Sequence, residues 1–121
     1  MIQLINVLDS VIANTTAPAE SIEGAKKVML ICKRAGSVGG GSSAFSATVS
    51  VDGTNYITYN KWIRNLANTI DQTLTRVASL TLTTDVADFI TMSPEDAYLD
   101  IKVSVAETTA GTHSAWLMIE Y

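Results

Sequence analysis

Phe45, Ala47, Val49 and Val51 alternate with Ser46, Thr48 and Ser50, the period-two pattern of a strand with one buried face. Asp52-Gly53 then supplies a left-handed turn signal leading into a second β-prone run, residues 56–63. A two-residue loop there would pair Val51 with Thr54 and leave Ile57 and Tyr59 among the serines and threonines. A loop of three or five residues instead aligns Ile57, Tyr59 and Ile63 with the valines. A one-residue slip reverses every side chain, so the hydrophobic pattern favours the longer turn. That register puts Tyr56 and Trp62 on the opposite face, away from this core.

The same grammar recurs along the chain. Within residues 2–12, Leu4, Leu8, Val11 and Ile12 fit a helical stripe, whereas Ile2-Gln3-Leu4 and Val11-Ile12 fit a strand. Strand is preferred, because the neighbouring segments are β-like and the turn-rich stretch 14–18 follows. Residues 26–33, with an unbroken apolar centre, read as a strand buried on both faces. Residues 36–43, rich in glycine and serine, read as a flexible loop, and residues 65–71 as a polar loop with room for one helical turn. Strand patterning resumes over 74–82, where Ala78, Leu80 and Leu82 alternate with Ser79 and Thr81. A short strand at 89–92 ends in the turn sequence Ser93-Pro94-Glu95-Asp96. Leu99, Ile101, Val103 and Val105 alternate with Asp100, Lys102 and Ser104. After a hairpin near Gly111, Ala115, Leu117, Ile119 and Tyr121 oppose Trp116, Met118 and Glu120.

About eight strands at short, regular intervals predict an all-β fold, a single antiparallel β-sandwich or jelly-roll-like domain over residues 1–121. A parallel sheet would need helical crossovers, and no segment is long enough for one. In the last strand Trp116 and Met118 make the second face apolar too. That strand is therefore central, or its outer face meets another subunit.

Composition narrows the function. Hydrophobic residues form 47% of the 121-residue chain and charged residues 17%, which argues against disorder. The net charge of −4 disfavours nucleic acid and anionic membrane as partners. No apolar run approaches the roughly 20 residues that span a bilayer. The first residues lack a secretory pattern, so synthesis in a cytoplasm is expected and the Asn14-Thr15-Thr16 sequon is read as chance. Cys32, the single cysteine, reads as a buried inert thiol.

The chemistry of catalysis is thin. His113 is the single histidine and sits beside the Gly111 turn, where a solvated ring is expected. No Gly-x-Ser-x-Gly elbow accompanies it. One His and one Cys make no zinc set. The glycine-rich loop lacks the Gly-Lys-Ser/Thr ending of a phosphate-binding loop. Asp85, Asp88, Glu95, Asp96 and Asp100 raise the question of calcium without an EF-hand spacing. No catalytic residue, metal or cofactor is assigned, and the chain is read as a non-enzyme. The aromatic residues Tyr56, Tyr59, Trp62 and Trp116 remain as candidates for core, sugar-stacking platform or protein contact.

Residues 44–62, centred on Val49-Ser-Val-Asp-Gly-Thr-Asn-Tyr56, resemble the S-x-D-G-T-N-W hairpin of small β-sandwich virion proteins of tailed bacteriophages. Residues 4–11 and 99–105 are similar to the flanking strands of such proteins. Tyr56 stands where the family more often has Trp. The resemblance implies a virion structural protein, a self-associating capsid decoration or tail-associated component, made in the host cytoplasm. It would form a homo-oligomer and bind a capsid or tail protein lattice, with Tyr56, Trp62, Trp116 and Met118 as candidate contacts. The Asp-Gly-Thr-Asn hairpin also resembles part of discoidin-type carbohydrate-binding modules, which implies a glycan- or receptor-binding alternative through Tyr56 or Trp62.

Overall fold

The computed structural model describes residues 1–37, 41–65, 74–107 and 111–121. Among them the chain forms strands and no helix: β1 (Ile2–Val11), β2 (Thr15–Thr16), β3 (Glu20–Ser21), β4 (Lys27–Ala35), β5 (Ser43–Ser50), β6 (Ile57–Thr58), β7 (Trp62–Asn65), β8 (Leu74–Val77), β9 (Leu80–Leu82), β10 (Ala87–Thr91), β11 (Asp100–Glu107) and β12 (Thr112–Glu120). They make two antiparallel sheets. The first runs β1-β12-β4-β10-β7-β8 and the second β2-β11-β5-β6, with β3 also on β11 and β9 also on β5. The strand count exceeds the expected eight because short edge segments pair piecewise along β5 and β11.

Period-two alternation explains the core. From the first sheet Val28, Leu30, Cys32, Ile90, Ala115, Leu117 and Ile119 point inward, and from the second Phe45, Val49, Leu80, Ile101, Val103 and Val105. These residues form one buried cluster. The antiparallel β-sandwich expected from the sequence is the observed fold.

β1 is a strand, as preferred over helix, and its pairing with β12 is regular from Ile2 to Asn6. Register shifts then interrupt it between Asn6 and Leu8 and between Leu8 and Val11. Ser10 adopts a left-handed backbone (φ 51°) in this bulged half.

The opening hairpin has an odd loop, longer than expected. Val49 pairs with Ile57, and the Tyr59 N–H donates to the Ala47 carbonyl at 2.9 Å. Tyr59 accordingly enters the core, but Ile57 lies at the outer edge of the second sheet and is 62% exposed. Ile63 and Trp62 depart from the expectation altogether. After β6 the chain leaves the second sheet at Asn60-Lys61 and enters the first as β7. This change of sheet inverts the alternation. Trp62, expected on an outer face, is completely buried, and Ile63 faces outward opposite Thr91.

Other boundaries shift for similar reasons. Residues 74–82 are two strands, since the chain passes from β8 in the first sheet to β9 in the second, leaving Ala78 exposed between them. β4 buries one face fully, but Lys27 and Lys33 are exposed and Met29 and Ile31 half-buried on the other. It is therefore not buried on both faces. Ser43 belongs to β5 and is buried, so the 36–43 loop ends earlier than expected, and residues 38–40 lie outside the described residues. The polar segment read over 65–71 lies outside them too, apart from Asn65 at the end of β7.

Trp62 gives the core a direct test. Truncating a buried Trp removes its transfer energy and leaves a cavity. Trp62→Ala should therefore lower the unfolding free energy by about 3–5 kcal/mol, read by urea denaturation. A loss below about 1 kcal/mol would place the indole outside the core.

Candidate functional site

The residues singled out from the sequence separate into three places. Trp62 is internal. Its ring meets Tyr59 edge-on with centroids 4.9 Å apart, and Tyr59 meets Tyr98 likewise at 5.9 Å. The Tyr59 hydroxyl donates to Asp96 Oδ2 at 2.8 Å and accepts from the Ser93 N–H at 2.9 Å. Burial and the Asp96 hydrogen bond push the Tyr59 pKa well up, so its phenol stays protonated. The cluster ties the β6–β7 crossover to the turn after β10, where the Asp96 N–H closes onto the Ser93 carbonyl.

Tyr56 lies half-buried just before β6. The Lys102 ammonium sits 4.0 Å from its ring centroid, and its hydroxyl reaches Asp100 Oδ2 at 3.5 Å. One ring face is thus covered by a cation. With Trp62 internal, the two aromatics do not form a joint stacking platform for a sugar.

The loop carrying Tyr56 is organised by Asp52. Its Oδ1 accepts from the N–H groups of Thr54 and Asn55, both at 2.8 Å, and from the Ser50 hydroxyl at 2.9 Å. Its Oδ2 accepts from the Asn55 side-chain amide at 2.7 Å. Hydrogen bonds from the Asn55 and Thr54 backbones, then from the Asn55 and Ser50 side chains, hold the carboxyl well below the usual range. Gly53 takes a left-handed conformation (φ 76°) and donates to Ser50 Oγ at 2.9 Å. The Asp-Gly-Thr-Asn signature is therefore a self-capped loop.

Trp116 and Met118 lie together on the outer face of the first sheet, both half-buried. Cross-strand register extends their patch in two rows. Leu4, Met118, Met29, Thr91 and Ile63 form one row, and Asn6, Trp116, Ile31 and Phe89 the next. A trough of about 630 Å³ opens on this face between Met29, Ile63, Phe89, Thr91, Met92 and Pro94. Sequence reasoning found two members of this patch. It missed Met29, Ile31 and Phe89, because an unbroken apolar run reads as interior.

His113 is not solvated. It is completely buried, with Nε2 2.6 Å from Ser43 Oγ and Nδ1 3.2 Å from the Val11 carbonyl. Since a carbonyl only accepts, Nδ1 carries a proton and donates it to the Val11 carbonyl. The pair joins β12, β5 and β1, and the Nδ1 partner is a carbonyl where a catalytic triad would place a carboxylate. Cys32 is buried on the neighbouring strand β4, and burial, with Asp88 second, pushes its thiol far up. The inert reading of Cys32 stands.

The five acidic residues considered for calcium are dispersed. Asp85 faces Arg34 at 3.9 Å, Asp88 pairs with Arg64 at 2.9 Å, Glu95 with Arg76 at 3.5 Å and Asp96 with Lys61 at 3.7 Å. Among the described residues no three His, Cys, Asp or Glu side chains gather into a metal-binding group. Among the described residues no helix is long and apolar enough to cross a membrane.

An antiparallel all-β sandwich with an apolar outer sheet face is the class that this geometry defines. No family model matches the sequence, and no curated protein matches it. Among solved structures, the SPBc2 prophage-derived protein YomS superposes with a TM-score of 0.67 at 5% identity, over 98% of this chain and 92% of that one. A chain from the structure of infectious bursal disease virus, Gx strain, superposes with a TM-score of 0.55 at 11% identity. The match takes in 98% of this chain but 32% of the viral one. At these identities the likeness is one of fold.

Two side chains make the loop and the cluster testable. Tyr59→Phe strands the buried Ser93 N–H and should cost about 1–3 kcal/mol in urea denaturation. An unchanged midpoint would mean that the phenol is not its partner. For Asp52 the folded pKa lies below the unfolded value of about 3.9. Its contribution is therefore present above that value and lost as pH falls through the folded one. Asp52→Asn should flatten the fall of melting temperature on acidification below about pH 4, and parallel wild-type and variant profiles would refute the assignment.

Proposed function

We propose that this chain is a non-enzymatic virion structural protein, a capsid decoration or tail-associated component that works by self-association and lattice contact. The observation that carries the reading is the near end-to-end superposition on a prophage-derived protein of similar size. The viral chain of the second superposition favours the same setting, and the hairpin resemblance points the same way. The half-buried Trp116 and Met118, on a sheet face that no other part of the described chain covers, supply apolar contact area. Tyr56, held at the opposite sheet by Lys102, is the remaining contact candidate.

The mechanism needs only burial and multiplicity. Each copy buries a modest patch, and many copies on one particle turn modest affinities into durable attachment. A net charge of −4 directs the interaction toward protein and away from nucleic acid or anionic membrane.

Purified protein mixed with phage particles of its source should co-sediment saturably, and nuclease or detergent treatment should leave the bound fraction unchanged. Absence of saturable binding to capsids and tails alike would overturn the role. Saturable glycan-array binding lost in Tyr56→Ala would replace it with the carbohydrate-binding alternative.

A further inference from the structure

We infer that the outer face of the first sheet is the surface on which two copies of this chain pair about a two-fold axis. The inference deepens the self-associating reading above and rests on it for its biological setting.

Three observations select a second copy as the occupant. The first is extent. From β1 to β10, four strands at about 4.8 Å spacing and about seven residues at 3.4 Å each span roughly 19 Å by 24 Å in projection. Side-chain relief adds to that projection, which gives a face at the small end of specific interfaces, below the roughly 800 Å² that each partner gives to a standard one. A patch of this order matches the largest that a typical soluble monomer exposes, and such patches are often functional.

The second is shape. On this face β1 carries the protruding side chains Ile2 and Leu4, 65% and 62% exposed. Across β12 and β4 lies the trough lined by Met29, Ile63, Phe89 and Thr91. A two-fold axis parallel to the strands and between β12 and β4 reverses the strand order β1-β12-β4-β10. It sets β1 of each copy over β10 of the other. Leu4 and Ile2 of one copy then enter the trough of its mate, twice over, as an isologous interface requires.

The third is charge. Lys27 on β4 and Glu120 on β12 are cross-strand neighbours at one end of this face. The same axis puts Lys27 of each copy opposite Glu120 of the other, with Met29 opposite Met118 and Ile31 opposite Trp116. A two-fold perpendicular to the strands would instead bring Lys27 toward Lys33 of the second copy, a like-charge contact that disfavours it. Sheets packed this way keep their strands within about 30° of each other.

Sedimentation equilibrium on the full chain tests the pairing, with thermal melts to confirm that each variant is folded. Wild type should be a dimer at micromolar concentration, and Met118→Lys a folded monomer. Lys27→Glu should weaken the dimer about tenfold or more, and adding Glu120→Lys should restore it. A wild-type monomer, a dimer indifferent to Met118→Lys, or a charge swap that does not rescue would each overturn the inference. Particle co-sedimentation is read separately. A monomer that still binds particles, and loses them in Met118→Lys, assigns this face to the lattice protein and overturns the dimer alone. A Met118-dependent dimer without particle affinity supports the pairing and overturns the virion role.

Discussion

The fold depends on two sheets sharing one interior, so that every long strand must spend alternate residues on the same small space. β5 and β11 supply Phe45, Val49, Ile101 and Val103 from one side, and β4 and β12 supply Leu30, Cys32, Leu117 and Ile119 from the other. Each strand is legible as a strand because that constraint leaves a period of two in its sequence. Everything else adapts to it. The edge strands of the second sheet are short, the turn after β5 is capped by its own side chains, and several buried polar groups find partners. His113 and Ser43 satisfy one another inside the core, and Tyr59 closes the end of the sandwich with Ser93 and Asp96.

This interior also explains which parts of the molecule could be read from sequence. β5, β11 and β12 were legible because each stays in one sheet along its length, so its alternation has one meaning. Trp62 was not, because the chain changes sheet at Asn60-Lys61 and a change of sheet is a tertiary event without local signature. Ala78 was misplaced for the same reason. His113 looked like a hairpin residue on account of Gly111, yet the bulged end of β1 reaches over it with the Val11 carbonyl. Pattern reading places residues relative to their neighbours in sequence and is blind to which strand arrives on top.

The candidate surface was half legible. Trp116 and Met118 betrayed an apolar second face because they alternate with residues that must be inside. Met29 and Ile31 did not, since a continuous apolar run in β4 reads equally well as a strand with nothing exposed. Only the cross-strand register joins the two strands into one patch. Tyr56 was read correctly as lying off the core, but its ring is occupied by Lys102, a pairing forty-odd residues apart in sequence. The chemistry of a surface is thus less visible in sequence than the chemistry of a core, because surfaces impose no period.

The bulged half of β1 has a consequence for how copies accumulate. An open sheet edge with regular spacing offers its free N–H and C=O groups to any further strand, and repetition of that contact gives a fibre. Here the outermost strand of the first sheet loses its regular spacing at Asn6, Leu8 and Val11 and turns left-handed at Ser10. A strand approaching that edge finds matching groups over only half of its length. Growth by sheet extension is thereby hindered along the bulged half of this edge.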